Sequence, residues 1–109
     1  MNEFIPSEFF LSQNYPNPFK EKTIIKYCVA FKTRVQLTVY NSEGKVIEKL
    51  VDEENNPGTY EVEFNTVETH RDESLQSGTY SYRLEAGNYS SEKKMEIINE
   101  GHKVLSNKT

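Results

Sequence analysis

From Thr23 onward, apolar and polar residues alternate with a period of two, in short runs that each close on turn-forming residues. A period of two sends successive side chains to opposite faces, so the pattern predicts half-buried strands and no helix. In Thr23 to Val29, the set Thr23, Ile25, Tyr27 and Val29 shares one face and Ile24, Lys26 and Cys28 the other, which predicts a strand partly covered on both sides. Arg34 to Asn41 is the cleanest case: Val35, Leu37 and Val39 oppose Gln36, Thr38 and Tyr40. Asn41, Ser42, Glu43 and Gly44 supply a turn, and Lys45 to Val51 is expected to return as the antiparallel partner.

The polar run Asp52 to Gly58 ends in a Pro-Gly signal and is predicted to be a loop. Beyond it, Tyr60, Val62 and Phe64 point inward from a strand over Thr59 to Asn65, with Glu61 and Glu63 solvated. A polar stretch from Thr66 to Gln76 leads to a strand in which Tyr80, Tyr82 and Leu84 oppose Ser81, Arg83 and Glu85. Ala86, Gly87 and Asn88 make a tight turn. Tyr89 to Ile98 returns as the last strand, with Tyr89, Ser91, Lys93, Met95 and Ile97 on one face. With a short strand near Phe9 to Gln13 the total is about seven, spaced by turns, which is the pattern of an antiparallel β-sandwich.

Composition narrows the picture without redirecting it. A chain of 109 residues makes one domain, and at that size roughly 65% of the unfolded surface can be buried in a single core. The hydrophobic share of 35% is low, but its concentration in alternating runs and the 12% aromatic content predict a folded chain with a thin, aromatic-rich core. A net charge of -4 argues against nucleic acid and anionic membranes as partners, since both draw affinity from clustered Lys and Arg. No apolar run of about 18 residues exists to suggest membrane insertion. The amino end lacks the basic segment of a signal peptide, so an exported form is expected to be a piece of a longer precursor. Cys28, the lone cysteine, excludes an intrachain disulfide and a cysteine-based zinc site, and is expected to be a small buried hydrophobe on its strand.

Ahead of the strands stands the run Leu11 to Phe19, LSQNYPNPF. Pro16 and Pro18 fix φ and remove two donors, Asn14 and Asn17 offer side-chain bonds to neighbouring backbone, and Tyr15 and Phe19 are expected to be apolar anchors on either side. The prediction is a rigid, extended entry segment pinned to the core at both ends and blunting a sheet edge. This run, with Pro6, Glu8, Phe9, Thr23, Ile24, Ile25 and Tyr27 around it, resembles the C-terminal sorting domains of the type IX secretion system, and equally the immunoglobulin-like domains of flagellar hook-capping proteins. The resemblance continues through Gly44, the Val46 to Leu50 strand, Gly58, Tyr60, Val62, Phe64, Gly78, Tyr80, Tyr82, Gly87, Lys94 and Met95, covering residues 6 to 98. Two departures stand out. Lys20, Glu21 and Lys22 replace a further Asn-Pro step, and the residues from Asn99 to Thr109 follow the final strand where the family usually stops within a few positions.

The polar composition of 99–109 predicts a disordered tail. The resemblance implies an immunoglobulin-like sandwich over residues 11–98 behind a linker over 1–10. It implies a non-catalytic export address without cofactor, which follows a passenger domain in the same precursor and is read by the type IX outer-membrane machinery. A sortase-like peptidase would then cut upstream of Leu11, or the domain would remain at the cell surface. The expected recognition surface is the last strand and its flank: Lys93, Lys94, Met95 and Glu96, with Tyr80 and Tyr82 beside them. The main alternative is an assembly or adhesion module of a surface or appendage protein. A carbohydrate-binding module would need tyrosines on an outward face, whereas the alternation turns Tyr60, Tyr80 and Tyr82 inward.

Catalytic and metal chemistry finds little support. His70 and His102 sit in a polar loop and in the tail with no positioned nucleophile. Asp52, Glu53, Glu54 and Asn55 lack the alternate spacing and the glycine of a calcium loop. Both sets are expected to be solvated surface, as are Arg71, Asp72 and Glu73.

Overall fold

A computed structural model describes residues 6–66 and 75–98 of the chain. His70 to Glu73, His102 and the tail from Asn99 lie outside the described residues. Among those described, the chain forms β1 (Phe10–Leu11), β2 (Lys22–Val29), β3 (Thr33–Tyr40), β4 (Val46–Asn55), β5 (Gly58–Asn65), β6 (Gly78–Ala86) and β7 (Tyr89–Ile97). One sheet runs β1-β2-β5 and the other β4-β3-β6-β7, with every strand pair antiparallel. The all-β antiparallel sandwich read from the alternation, which the resemblance makes immunoglobulin-like, is thus the fold observed.

The inner faces are those the period of two assigns. Ile25, Tyr27, Val29 and Phe64 from one sheet meet Val35, Leu37, Val39, Tyr82, Leu84, Met95 and Ile97 from the other, all buried. Sequestering that apolar surface from water is the main force joining the sheets. The polar tips of the core aromatics are satisfied within it: the Tyr27 ring stacks on Tyr60 at 5.2 Å while its hydroxyl donates to Asn55 Oδ1 at 2.8 Å.

Turn chemistry fixes the two hairpins of the larger sheet. Asn41 Oδ1 accepts from the amides of Glu43 and Lys45, each at 2.9 Å, and Gly44 closes the turn at a φ of 85°. Between β6 and β7 the loop is only Gly87 and Asn88. Gly87 has a φ of 59° and Asn88 does not have a positive φ, as a type II′ turn requires.

Four expectations are corrected. β4 does not stop at Val51 but continues through Asn55, because Asp52 to Asn55 pair with Thr33 to Gln36 on β3. A backbone ladder needs no apolar side chain, and Arg34 holds Asp52 by an ion pair at 2.6 Å. Tyr15 is not an apolar anchor: it is 79% exposed, since its backbone bridges Ile24 through two hydrogen bonds that send the ring outward. The entry segment is not extended, for residues 16–18 are bends and both X-Pro bonds, Tyr15-Pro16 and Asn17-Pro18, are cis. Cys28 is only half-buried, on the outer face, with Sγ 3.8 Å from Thr59 Oγ1.

The edges of the sandwich are treated differently. β4 carries register shifts between Leu37 and Thr38 and between Val39 and Tyr40 of its partner, and it turns Glu48 to the same side as core residue Val39. Bulges and inward charges both deter edge-to-edge pairing. β7, the opposite edge of the same sheet, has no such shift in its nine-residue register with β6. Its second half, from Lys94 to Ile98, is covered instead by the entry segment.

Candidate recognition site

The last strand and the entry segment meet along one edge. Phe19, 3% exposed, forms a parallel bridge with Ile97: its amide donates to Glu96 O at 3.1 Å and its carbonyl accepts from the Ile98 amide at 2.8 Å. Asn17 extends the contact, its Oδ1 accepting from the Glu96 amide at 2.9 Å. Gln13 Nε2 donates to Lys94 O at 2.6 Å. Carboxamide side chains of the entry segment therefore take the places that backbone groups of a neighbouring strand would occupy.

A buried polar network gives the segment its shape. Asn14, 2% exposed, donates through Nδ2 to Thr23 Oγ1 at 3.0 Å and to Pro16 O at 3.2 Å. Thr23 donates in turn to Pro16 O at 2.8 Å, and Gln13 Nε2 donates to Asn14 Oδ1 at 2.8 Å. The bends at residues 16–18 keep the Pro16 carbonyl out of any strand ladder, so side chains satisfy it. Of this network Asn14, which bonds the neighbouring Pro16 carbonyl as expected, was legible in the sequence, whereas Gln13 and Thr23 were not; Asn17 departs from the expectation, since it bonds Glu96 on the last strand and not neighbouring backbone. Nothing local marks a polar residue whose partner is brought in by the fold.

The six residues expected at the recognition surface lie close together but face different ways. Across the β6–β7 ladder, Tyr80 is opposite Met95, Tyr82 opposite Lys93, Ser81 opposite Lys94 and Thr79 opposite Glu96. Tyr80, Tyr82 and Met95 point into the core, with Tyr82 and Met95 at 0% and 1% exposure. Lys94 and Glu96 are exposed and Lys93 is half-buried. The Tyr82 hydroxyl is pushed up to about 12 by burial, and burial also raises Tyr80. Their phenols are hydrogen-bond donors to Ser12 O and Gln76 O, at 2.6 and 2.8 Å.

The outer face beside β7 is a lattice of charge pairs. Arg83 reaches Glu92 at 3.2 Å and Glu85 at 3.9 Å, and its guanidinium lies 5.2 Å from the Tyr40 ring centre. The Thr79 hydroxyl donates to Glu96 Oε2 at 2.6 Å. Among the described residues no group of three or more His, Cys, Asp or Glu is placed to hold a metal ion. Of the other family-motif positions, Gly44, Gly58 and Gly78 all have positive φ. Tyr60 is half-buried, donating its hydroxyl to Asn56 O at 2.6 Å.

No curated protein and no solved structure matches the chain. The model of one family, described as the secretion system C-terminal sorting domain, matches residues 13–99, which takes in the entry run from Gln13 and strands β2 to β7. The chain therefore belongs to the family of type IX secretion C-terminal sorting domains.

Proposed function

We propose that this domain is a non-catalytic address that directs a passenger, joined to its amino end, through the type IX outer-membrane machinery to the cell exterior or surface. The family match over residues 13–99 carries the reading, because sorting is what the family's description assigns. The burial pattern supports a passive role. The phenols of Tyr27, Tyr60, Tyr80 and Tyr82 are hydrogen-bonded within the fold, and on β7 the exposed carboxylates of Glu92 and Glu96 are engaged by Arg83 and Thr79 while Lys94 projects to solvent.

Within residues 11–98 as the sorting unit, Lys94 and Glu96 are the contacts the machinery meets, with Lys93 at their margin. Tyr80, Tyr82 and Met95 act from behind by holding β7 flat on the core. Any cut by a sortase-like peptidase falls upstream of Leu11. A cut before Pro6 leaves the fold whole, since Pro6 is buried and the Phe9 ring packs on Phe31 at 5.0 Å and on Tyr89 at 5.6 Å.

The test fuses residues 1–98 and 1–109 behind a periplasmic reporter in a bacterium with a type IX system. Surface or extracellular reporter from either fusion is the expected result. Retention of both, while a known sorting domain delivers the same reporter, overturns the reading.

A further inference from the structure

Three exposed side chains bond to the same two residues of β7. Gln13 donates to Lys94 O at 2.6 Å, Asn17 accepts from the Glu96 amide at 2.9 Å, and the Thr79 hydroxyl donates to Glu96 Oε2 at 2.6 Å. Two of them come from the entry segment and the third from β6. Glu96 is thus held at both its amide and its carboxylate. Lys94 is held by its carbonyl, while its ammonium has no partner among the described residues.

The fold has little use for these contacts. A surface hydrogen bond that water could replace adds little to stability. Thr79 and Glu96 are already register partners in the β6–β7 ladder, so their side chains need not meet to keep the strands together. Phe19 already ties the entry segment to β7 through two backbone bonds, at Glu96 O and at the Ile98 amide. What the three contacts fix is direction. Gln13 does not swing freely, because its Nε2 also donates to Asn14 Oδ1, and Asn14 is 2% exposed. The backbone at Lys94 is thereby referred to the buried network around Thr23 and not to solvent.

We propose that Gln13, Asn17 and Thr79 are positioning residues, which hold Lys94 and Glu96 in the arrangement that the export machinery meets. Lys94 and Glu96 alternate along β7 and so share one face, where both are exposed. The proposal rests on the sorting role above and adds residues that act through β7 without touching the partner. Fixing the two contact residues before the encounter spares binding the cost of ordering them, which amounts to about two- to tenfold in affinity for each side chain ordered.

The test separates positioning from stability. Thr79→Val keeps the branched shape and loses the donor, whereas Thr79→Ser keeps the donor. Each is placed in the full chain behind the periplasmic reporter, beside the paired variant Gln13→Ala/Asn17→Ala. Both Thr79 variants, purified as domains, should melt within about 4 °C of the unmodified chain, as surface substitutions do. The rate of surface delivery is expected to fall about two- to tenfold for Thr79→Val and for Gln13→Ala/Asn17→Ala, and to stay at the unmodified level for Thr79→Ser. Delivery of Thr79→Val or of the paired variant at the unmodified rate overturns the proposal. So does an equal loss in Thr79→Val and Thr79→Ser, since the hydroxyl is then not the cause. A loss of delivery that tracks a loss of folded domain in the melts makes these residues structural and overturns it too. Failure of the unmodified fusion overturns the sorting role instead.

Discussion

The Tyr82 hydroxyl donates a 2.6 Å hydrogen bond to the carbonyl of Ser12, 70 residues earlier in the chain. It ties the centre of the four-stranded sheet to the start of the entry segment. The ring fills the core and the oxygen fixes where residues 13–19 begin. Tyr82→Phe keeps the ring and strands the Ser12 carbonyl, at an expected cost of about 1–2 kcal/mol in urea denaturation. Tyr82→Ala adds a cavity and should cost about 3–5 kcal/mol.

Asn14 and Tyr15 are neighbours with opposite consequences. Asn14→Ala removes the amide that joins Thr23, Pro16 and Gln13 and leaves buried Thr23 Oγ1 without its donor, for an expected loss of about 2 kcal/mol. Tyr15→Ser changes a side chain that is 79% exposed, so stability should stay within about 0.5 kcal/mol. Thermal melts of the two variants check the contrast. Equal losses would mean that the ring anchors the segment after all.

Gly87 sets the β6–β7 hairpin at a φ of 59°, where a Cβ costs about 1–2 kcal/mol. Space is not the obstacle, since the nearest atoms, on Phe31 and Thr33, would lie 3.7 Å from an added Cβ. Gly87→Ala should therefore destabilise without altering the core, and a crystal structure of the variant should keep the β6–β7 register.

Burial pushes the phenols of Tyr27 and Tyr82 up to about 12, against an ordinary 10.0. Tyr60 and Glu53 beside Tyr27 add to its shift. Between these values the unfolded chain releases phenolic protons that the folded chain retains, so ionisation favours unfolding. The stabilisation is whole below pH 10 and is lost as the pH rises towards 12. Alkaline unfolding followed by circular dichroism should coincide with the appearance of tyrosinate absorbance from these two residues. Tyrosinate signal equal to all the tyrosines in a chain still folded would contradict it.

Much of this architecture was legible because burial on one face writes itself into a period of two. Val35, Leu37 and Val39 or Tyr80, Tyr82 and Leu84 announce both the strand and its inner side, and Gly44 and Gly87 announce the hairpins. Asp52 to Asn55 were not legible as strand, because an edge strand paired on one side holds its place through backbone bonds and ion pairs. Tyr15 misled for a related reason. Its aromatic character suggested burial, while the bridge to Ile24 fixed its direction. At the candidate site, the sequence put Lys93 to Glu96 on the last strand and flagged the asparagines of the entry run. It could not show that the two lie side by side, since that contact joins opposite ends of the domain.

The most direct test of the sorting role is surface delivery by a folded domain whose β7 lysine charges are gone. Lys93→Ala/Lys94→Ala, placed in the full chain behind a periplasmic reporter, should leave the circular dichroism and melting of the purified domain nearly unchanged. The account predicts that the unmodified fusion reaches the cell surface and the variant stays in the periplasm. Equal delivery of the two would contradict it.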